Sequence, residues 1–168
     1  MCSSDLKALC IVGGKFGERW GSLCKAYGVP YETIDVPWGQ AVSVDEVAKR
    51  LDADPAIRAV FGTHSETSTA TLHDAEGLAK VTRARKRLLV LDAITSLGVH
   101  PLPQDAWGVD VVVTGSQKGL MSPPGLATVS LAPWALAEIE GDRLPRFYWD
   151  LRKARKNLPA GEIGRAHV

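Results

Sequence analysis

Four short stretches carry side chains able to do chemistry together: Phe16 within Gly13-Gly14-Lys15-Phe16-Gly17, the hydroxyl-rich run His64-Ser65-Glu66-Thr67-Ser68-Thr69, Asp92, and Lys118 within Gly115-Ser116-Gln117-Lys118-Gly119. A lysine amine forms a Schiff base with an aldehyde, and removal from water suits such an amine to act first as nucleophile and then as base. A carboxylate set against a pyridine nitrogen keeps that nitrogen protonated, which makes the ring an electron sink for a carbanion at a substrate's alpha carbon. An aromatic ring stacks on the pyridine. Taken singly, each group has a plainer reading. Asp92 would serve as a helix cap or loop hydrogen-bonder, Lys118 as a solvated amine, Phe16 as a core residue, and the hydroxyl run as the turn before a helix. The glycine-rich stretch is neither a P-loop nor a dinucleotide fingerprint, because it lacks both the GxxxxGK[ST] and GxGxxG spacings. What favours chemistry is that the four groups fall at corresponding places in the chain.

Each of them follows a strand-like apolar run. Residues 6–12, 31–36, 57–62, 88–91, 109–113 and 126–131 read as strands, several of them near-continuous apolar segments such as Leu88-Leu89-Val90-Leu91. Residues 18–27 read as a helix with Trp20, Leu23 and Cys24 at helical spacing and Gly28 as its stop. Ser43 and Glu46 form a capping box for a helix to about residue 51. Further helices are expected over residues 72–86 and 133–139. In the first of these the acids Asp74 and Glu76 come early and the bases Lys80, Arg83, Arg85 and Lys86 come late, as the helix dipole favours. The alternation of strand and helix predicts an α/β fold, a three-layer αβα sandwich around a mostly parallel sheet covered on both faces. In such a sheet ligands bind beyond the carboxyl ends of the strands, where loops converge and helix N-termini present unpaired amides. All four stretches would lie on that edge.

Composition narrows the field. With 20 Lys and Arg against 19 Asp and Glu, the chain of 168 residues has no overall field to draw it to nucleic acid or an anionic membrane. The basic cluster around residues 80–86 and the run Arg152-Lys153-Ala154-Arg155-Lys156 lack the aromatic interleaving of a nucleic-acid face. No apolar run approaches the roughly 20 residues that span a bilayer. The first residues lack the pattern of a signal peptide, so a cytoplasmic location is expected. Cys2, Cys10 and Cys24 are too few and too irregular for a disulfide framework or a metal site, and the last two read as buried free thiols.

The two ends do not read as protein. Met1-Cys2-Ser3-Ser4-Asp5-Leu6 can be encoded by GTGTGCTCTTCCGATCT, and the reverse complement of that string encodes Ile163-Gly164-Arg165-Ala166-His167. A common short-read sequencing adapter has this sequence. Residues 1–6 and 162–168 are therefore expected to be adapter translation, and residues 7–161 part of one larger domain.

The interior motifs resemble a known family. His64-Ser65-Glu66-Thr67-Ser68-Thr69, then Leu91-Asp92-Ala93-Ile94-Thr95-Ser96-Leu97-Gly98, then Gly115-Ser116-Gln117-Lys118-Gly119-Leu120 with Pro123-Pro124-Gly125, resemble the class V aminotransferases of fold type I, nearest the alanine-glyoxylate and serine-glyoxylate (serine-pyruvate) group. The resemblance implies the cofactor pyridoxal 5'-phosphate (PLP), held by Lys118 with Asp92 at the pyridine nitrogen. It also implies Phe16 and Ile94 on the two ring faces, Thr67 near the phenolic oxygen and Gln117 at the phosphate. Implied substrates are a small amino acid and a small 2-oxo acid, and the implied assembly of the intact protein is a homodimer. The family's phosphate loop, a segment from the neighbouring subunit and the arginine for the substrate carboxylate have no counterpart here, so the chain by itself is expected to be inactive. Cysteine desulfurases resemble the chain in fold but carry histidine before the lysine, where this chain has Gln117. A nucleotide-binding Rossmann-like domain is the remaining alternative.

Overall fold

The computed structural model describes residues 7–140 and 150–157. The two terminal stretches read as adapter lie outside the described residues. So does residue 161, where the domain was expected to end.

Strand β1 (Lys7–Val12) leads into helix α1 (Gly17–Ala26), β2 (Tyr31–Asp35), α2 (Val44–Ala53) and β3 (Ile57–Thr63). A two-residue pair, β4 (Ser65–Glu66) and β5 (Thr71–Leu72), precedes α3 (Ala75–Ala84) and β6 (Leu88–Asp92). Then come α4 (Gln104–Trp107), β7 (Val111–Gly115), β8 (Ala127–Leu131), α5 (Pro133–Glu140) and α6 (Leu151–Asn157). The chain divides into two compact units, residues 1–132 and 133–168. Within the first, six strands form one sheet in the order β2-β1-β3-β6-β7-β8. All neighbours are parallel except β8, which runs antiparallel to β7.

Alternation along β1 explains the layers, because successive side chains of a strand point to opposite faces. Leu9 and Ile11 join a core with Val47 and Leu51 of α2, Leu78 and Ala79 of α3, and Leu89 and Leu91 of β6. Ala8 and Cys10 face the other way, onto Cys24 of α1 with Trp20 and Phe61 beside them. Helices thus lie on both faces of a mostly parallel sheet, as expected. Leu9, Ile11, Leu89 and Leu91 are at most 1% exposed, and each contributes about 2 kcal/mol of burial. Coverage is less even than the apolar runs implied. Leu88, Val90, Val111 and Val113 are only half-buried, because α1 contacts β1, β2 and β3 rather than the strands beyond them.

Several boundaries move. The third helix begins at Ala75, not residue 72, because Thr71 and Leu72 pair with Glu66 and Ser65 and the Asp74 carboxylate caps the helix by accepting from the Gly77 amide at 2.8 Å. The strand expected from residue 109 starts at Val111, after Gly108 with its left-handed φ of 77° ends α4. The capping box at α2 forms in part: the Ser43 hydroxyl accepts from the Glu46 amide at 3.4 Å. Leu23, placed on the apolar side of α1 by spacing, is exposed. Helices α4 and α6 carry no sequence signal strong enough to announce them. The basic run 152–156 lies on α6, whose first turn is fixed by Asp150 accepting from the Arg152 amide at 3.0 Å.

Candidate active site

Strands β1, β3, β6 and β7 are parallel neighbours, so the segments that follow them emerge on one rim of the sheet. A continuous series of contacts joins them there. After β1, Phe16 occupies the N-cap position of α1, and its amide and that of Gly17 donate to the Glu66 carboxylate at 3.4 and 2.9 Å. The adjoining Thr67 is exposed, and its hydroxyl donates to that of Thr95 at 3.2 Å; Thr95 in turn donates to the Ser65 carbonyl at 3.1 Å. Asp92 ends β6, half-buried, and its Oδ1 accepts from the Ile94 amide at 2.8 Å. The Ile94 carbonyl accepts from the Gly119 amide at 3.1 Å, which fastens the Asp92 turn to the turn that carries Gln117 and Lys118.

Close packing explains two of the glycines. A Cβ on Gly14 would sit 2.3 Å from the Ser68 hydroxyl and 2.7 Å from the Glu66 side chain. One on Gly119 would sit 2.5 Å from the Leu97 carbonyl oxygen, a backbone atom that cannot rotate aside. The Lys118 turn is closed from the far side by Ser116, whose hydroxyl donates to the Pro123 carbonyl at 2.6 Å and so anchors the Pro-Pro-Gly segment.

The aminotransferase class-V family model matches residues 17–141, most of the chain. This chain belongs to the class V aminotransferase family. Its relatives include an L-aspartate–glyoxylate aminotransferase of Paracoccus denitrificans (strain Pd 1222), 40% identical over 150 residues, 87% of this chain and 38% of that protein. A protein of Synechococcus sp. (strain PCC 6716) named soluble hydrogenase, small subunit, is 48% identical over 147 residues, 86% of this chain and 38% of that one. Among solved structures, the crystal structure of an alanine–glyoxylate aminotransferase from Nostoc sp. superposes with a TM-score of 0.88 at 30% identity, covering 96% of this chain and 43% of that chain. The chain spans about two fifths of the length of the relatives it matches. The family match sets aside the nucleotide-binding alternative.

For a class V member the electrostatics of this rim are informative. Burial pushes the Asp92 carboxyl above its ordinary value, the Ile94 amide opposes that, and the nearby Glu66 charge adds to it while Arg19 subtracts. Burial also pushes Glu66 up, but bonds from the Ser68 hydroxyl and the Gly17, Ser68 and Phe16 amides outweigh it and hold Glu66 below the usual glutamate range. The Arg19 guanidinium lies 4.6 Å from the centre of the Phe16 ring. His64 is buried with its Nδ1 2.9 Å from the Ser96 hydroxyl, and its amide donates to the Asp92 carbonyl at 2.8 Å. Burial, with the neighbouring His100 and His73, pushes the His64 ring down to about 4, so it stands neutral.

Each residue read from the sequence lies on this rim, on the segments after β1, β3, β6 and β7. Lys118 and Gln117 are exposed, although Schiff-base chemistry favours an amine drawn out of water. Sequence reasoning missed Glu66, His64 and Ser96. Glu66 sat inside a quoted motif, but its main-chain partners at Phe16 and Gly17 lie 50 and 49 positions away, beyond any local pattern. Among the described residues no grouping of three or more His, Cys, Asp or Glu side chains is arranged to hold a metal ion, and no helix is long and apolar enough to cross a membrane.

Proposed function

We propose that this chain is the cofactor-bearing part of a PLP-dependent aminotransferase that moves an amino group from a small amino acid, alanine or serine, to a small 2-oxo acid, glyoxylate or pyruvate. The observation that carries the reading is the Ile94–Gly119 hydrogen bond, which fastens a turn bearing a carboxylate to a turn bearing an amine on a single rim. The residues fit the group. Asp92 spends one oxygen on the Ile94 amide, and among the described residues no donor reaches the other, which leaves an acceptor for a protonated ring nitrogen. When bound, PLP supplies an aldehyde for amine exchange and a ring that takes up the electron pair released at the substrate's alpha carbon.

The chain's own residues do the rest. The Asp92 carboxylate would keep the pyridine nitrogen protonated, and that cationic partner would offset the burial that otherwise raises the carboxyl. Lys118 would anchor the cofactor and then move the proton at the substrate's alpha carbon. Phe16 and Ile94 would flank the ring, with Thr67 on the phenolic-oxygen side and Gln117 at the phosphate. The Paracoccus and Nostoc relatives differ by name in amino donor and share glyoxylate, which supports a small acceptor. On the same reading the intact protein works as a homodimer in the cytoplasm, residues 1–6 and 162–168 are adapter translation, and the chain alone holds its cofactor weakly.

The test is direct. At high PLP concentration the purified chain is expected to develop a visible absorption band that borohydride bleaches, and Lys118→Ala is expected to lose it. A band that persists in Lys118→Ala contradicts the assignment. Sequencing the neighbouring nucleotides in overlapping reads checks both ends.

A further inference from the structure

We propose that Glu66 is a positioning residue of this site: its buried carboxylate sets the Phe16 ring against the cofactor by gripping the backbone that carries that ring. The inference rests on the cofactor reading above and deepens it. Helix α1 starts in an unusual way. A helix start favours Ser, Thr, Asp or Asn at the N-cap, because a short side-chain oxygen satisfies the first unpaired amides. Here the N-cap is Phe16, which makes no side-chain cap bond. An aromatic ring has taken the capping position, and the missing acceptor comes from elsewhere in the chain.

Glu66 supplies it. Its side chain is completely buried, yet it accepts from four donors: the Gly17 amide at 2.9 Å on Oε2, and on Oε1 the Ser68 hydroxyl at 2.6 Å, the Ser68 amide at 3.1 Å and the Phe16 amide at 3.4 Å. The Ser68 hydroxyl accepts in turn from the Lys15 amide at 2.9 Å. The amides of Lys15, Phe16 and Gly17 are therefore all held by one Glu66–Ser68 unit on the next strand's loop. An ionised carboxylate at this helix N-terminus also meets the positive end of the helix dipole. Gly14 lets the unit come close, since any Cβ there would collide with both Ser68 and Glu66. Burial of a charge is costly unless hydrogen bonds offset it. Four donors do so here, three on Oε1 and one on Oε2, and what they fix is the backbone of the residue proposed to face the ring.

The experiment is a double-mutant cycle on PLP affinity in the 168-residue chain, with Glu66→Gln and Phe16→Leu made singly and together. Glutamine keeps the shape of Glu66 but turns one acceptor into a donor, so the Gly17 or Phe16 amide is left facing an N–H. Glu66→Gln is expected to weaken PLP binding about tenfold when Phe16 is present and by less than about twofold in the Phe16→Leu background. Independently of any cofactor, hydrogen exchange at the Phe16 and Gly17 amides is expected to quicken at least about tenfold in Glu66→Gln. If Glu66→Gln does not fold, Ser68→Ala carries the same cycle, with an expected loss of about threefold that again vanishes in Phe16→Leu. Equal losses in both backgrounds, or unchanged exchange at the two amides, overturn the proposal while leaving the cofactor assignment standing. No PLP uptake by the unsubstituted chain overturns the cofactor assignment and the proposal with it.

Discussion

Asp92 and Glu66 are carboxylates on the same rim whose surroundings push them in opposite directions, Asp92 up by burial and Glu66 down by its hydrogen bonds despite burial. The difference separates roles: Asp92 has one oxygen open to a cationic partner, whereas Glu66 is already satisfied as a fixed charge. His64 beneath them is a neutral strut between the Asp92 carbonyl and Ser96. Its folded value near 4 lies below the ordinary 6.5, so the unfolded chain binds the proton more readily in that window. The stability that His64 contributes is therefore complete above about pH 6.5 and is lost as pH falls towards 4, by about 3 kcal/mol at most. Urea unfolding near neutral pH and near pH 4.5 should show a smaller acid loss in His64→Gln than in the unsubstituted chain; identical losses would mean that the ring does not report this burial. At this scale the sequence is legible where a residue's position follows from its place after a strand, as for Asp92 and the turn that bears Lys118. It is opaque where the partner is distant. Glu66 acts on Phe16 and Gly17, and His64 on Ser96, only once the sheet has brought β1, β3 and β6 side by side.

The elements place these residues through backbone contacts more than through side chains. The turn after β7 approaches the turn after β6 so closely that only glycine fits at position 119. Gly119→Ala is expected to displace the Lys118 turn and to cost about 1–3 kcal/mol, read as a lower melting temperature together with weakened PLP uptake. A melting temperature and an uptake both unchanged would show that the turn has slack. Element types were legible wherever an apolar run met a strong stop, as at β1 with its glycines, at β6, and at α1 ending before Gly28. The start of α3 is not legible in sequence, because Leu72 continues an apolar period while its backbone pairs with Ser65. Helix α4, of four residues, is too short for periodicity to register.

Across the molecule, the sheet ends in an edge. Among the described residues β8 pairs with β7 alone, and Leu126 and Val129 are 73% and 46% exposed. An open apolar edge invites pairing with a second chain. The chain is expected to self-associate with rising concentration in sedimentation experiments, and Val129→Lys to reduce that without changing PLP uptake; a monomer at all concentrations would contradict this.

Whether one rim brings an amine and a carboxylate to the same ring can be read from the nitrogen-15 chemical shift of ring-labelled PLP held by the chain. The unsubstituted chain should give the shift of a protonated pyridine nitrogen, and Asp92→Asn should move it towards the neutral value while Lys118 still holds the aldehyde. One shift common to both chains would show that Asp92 does not face the nitrogen and would overturn the proposed cofactor site.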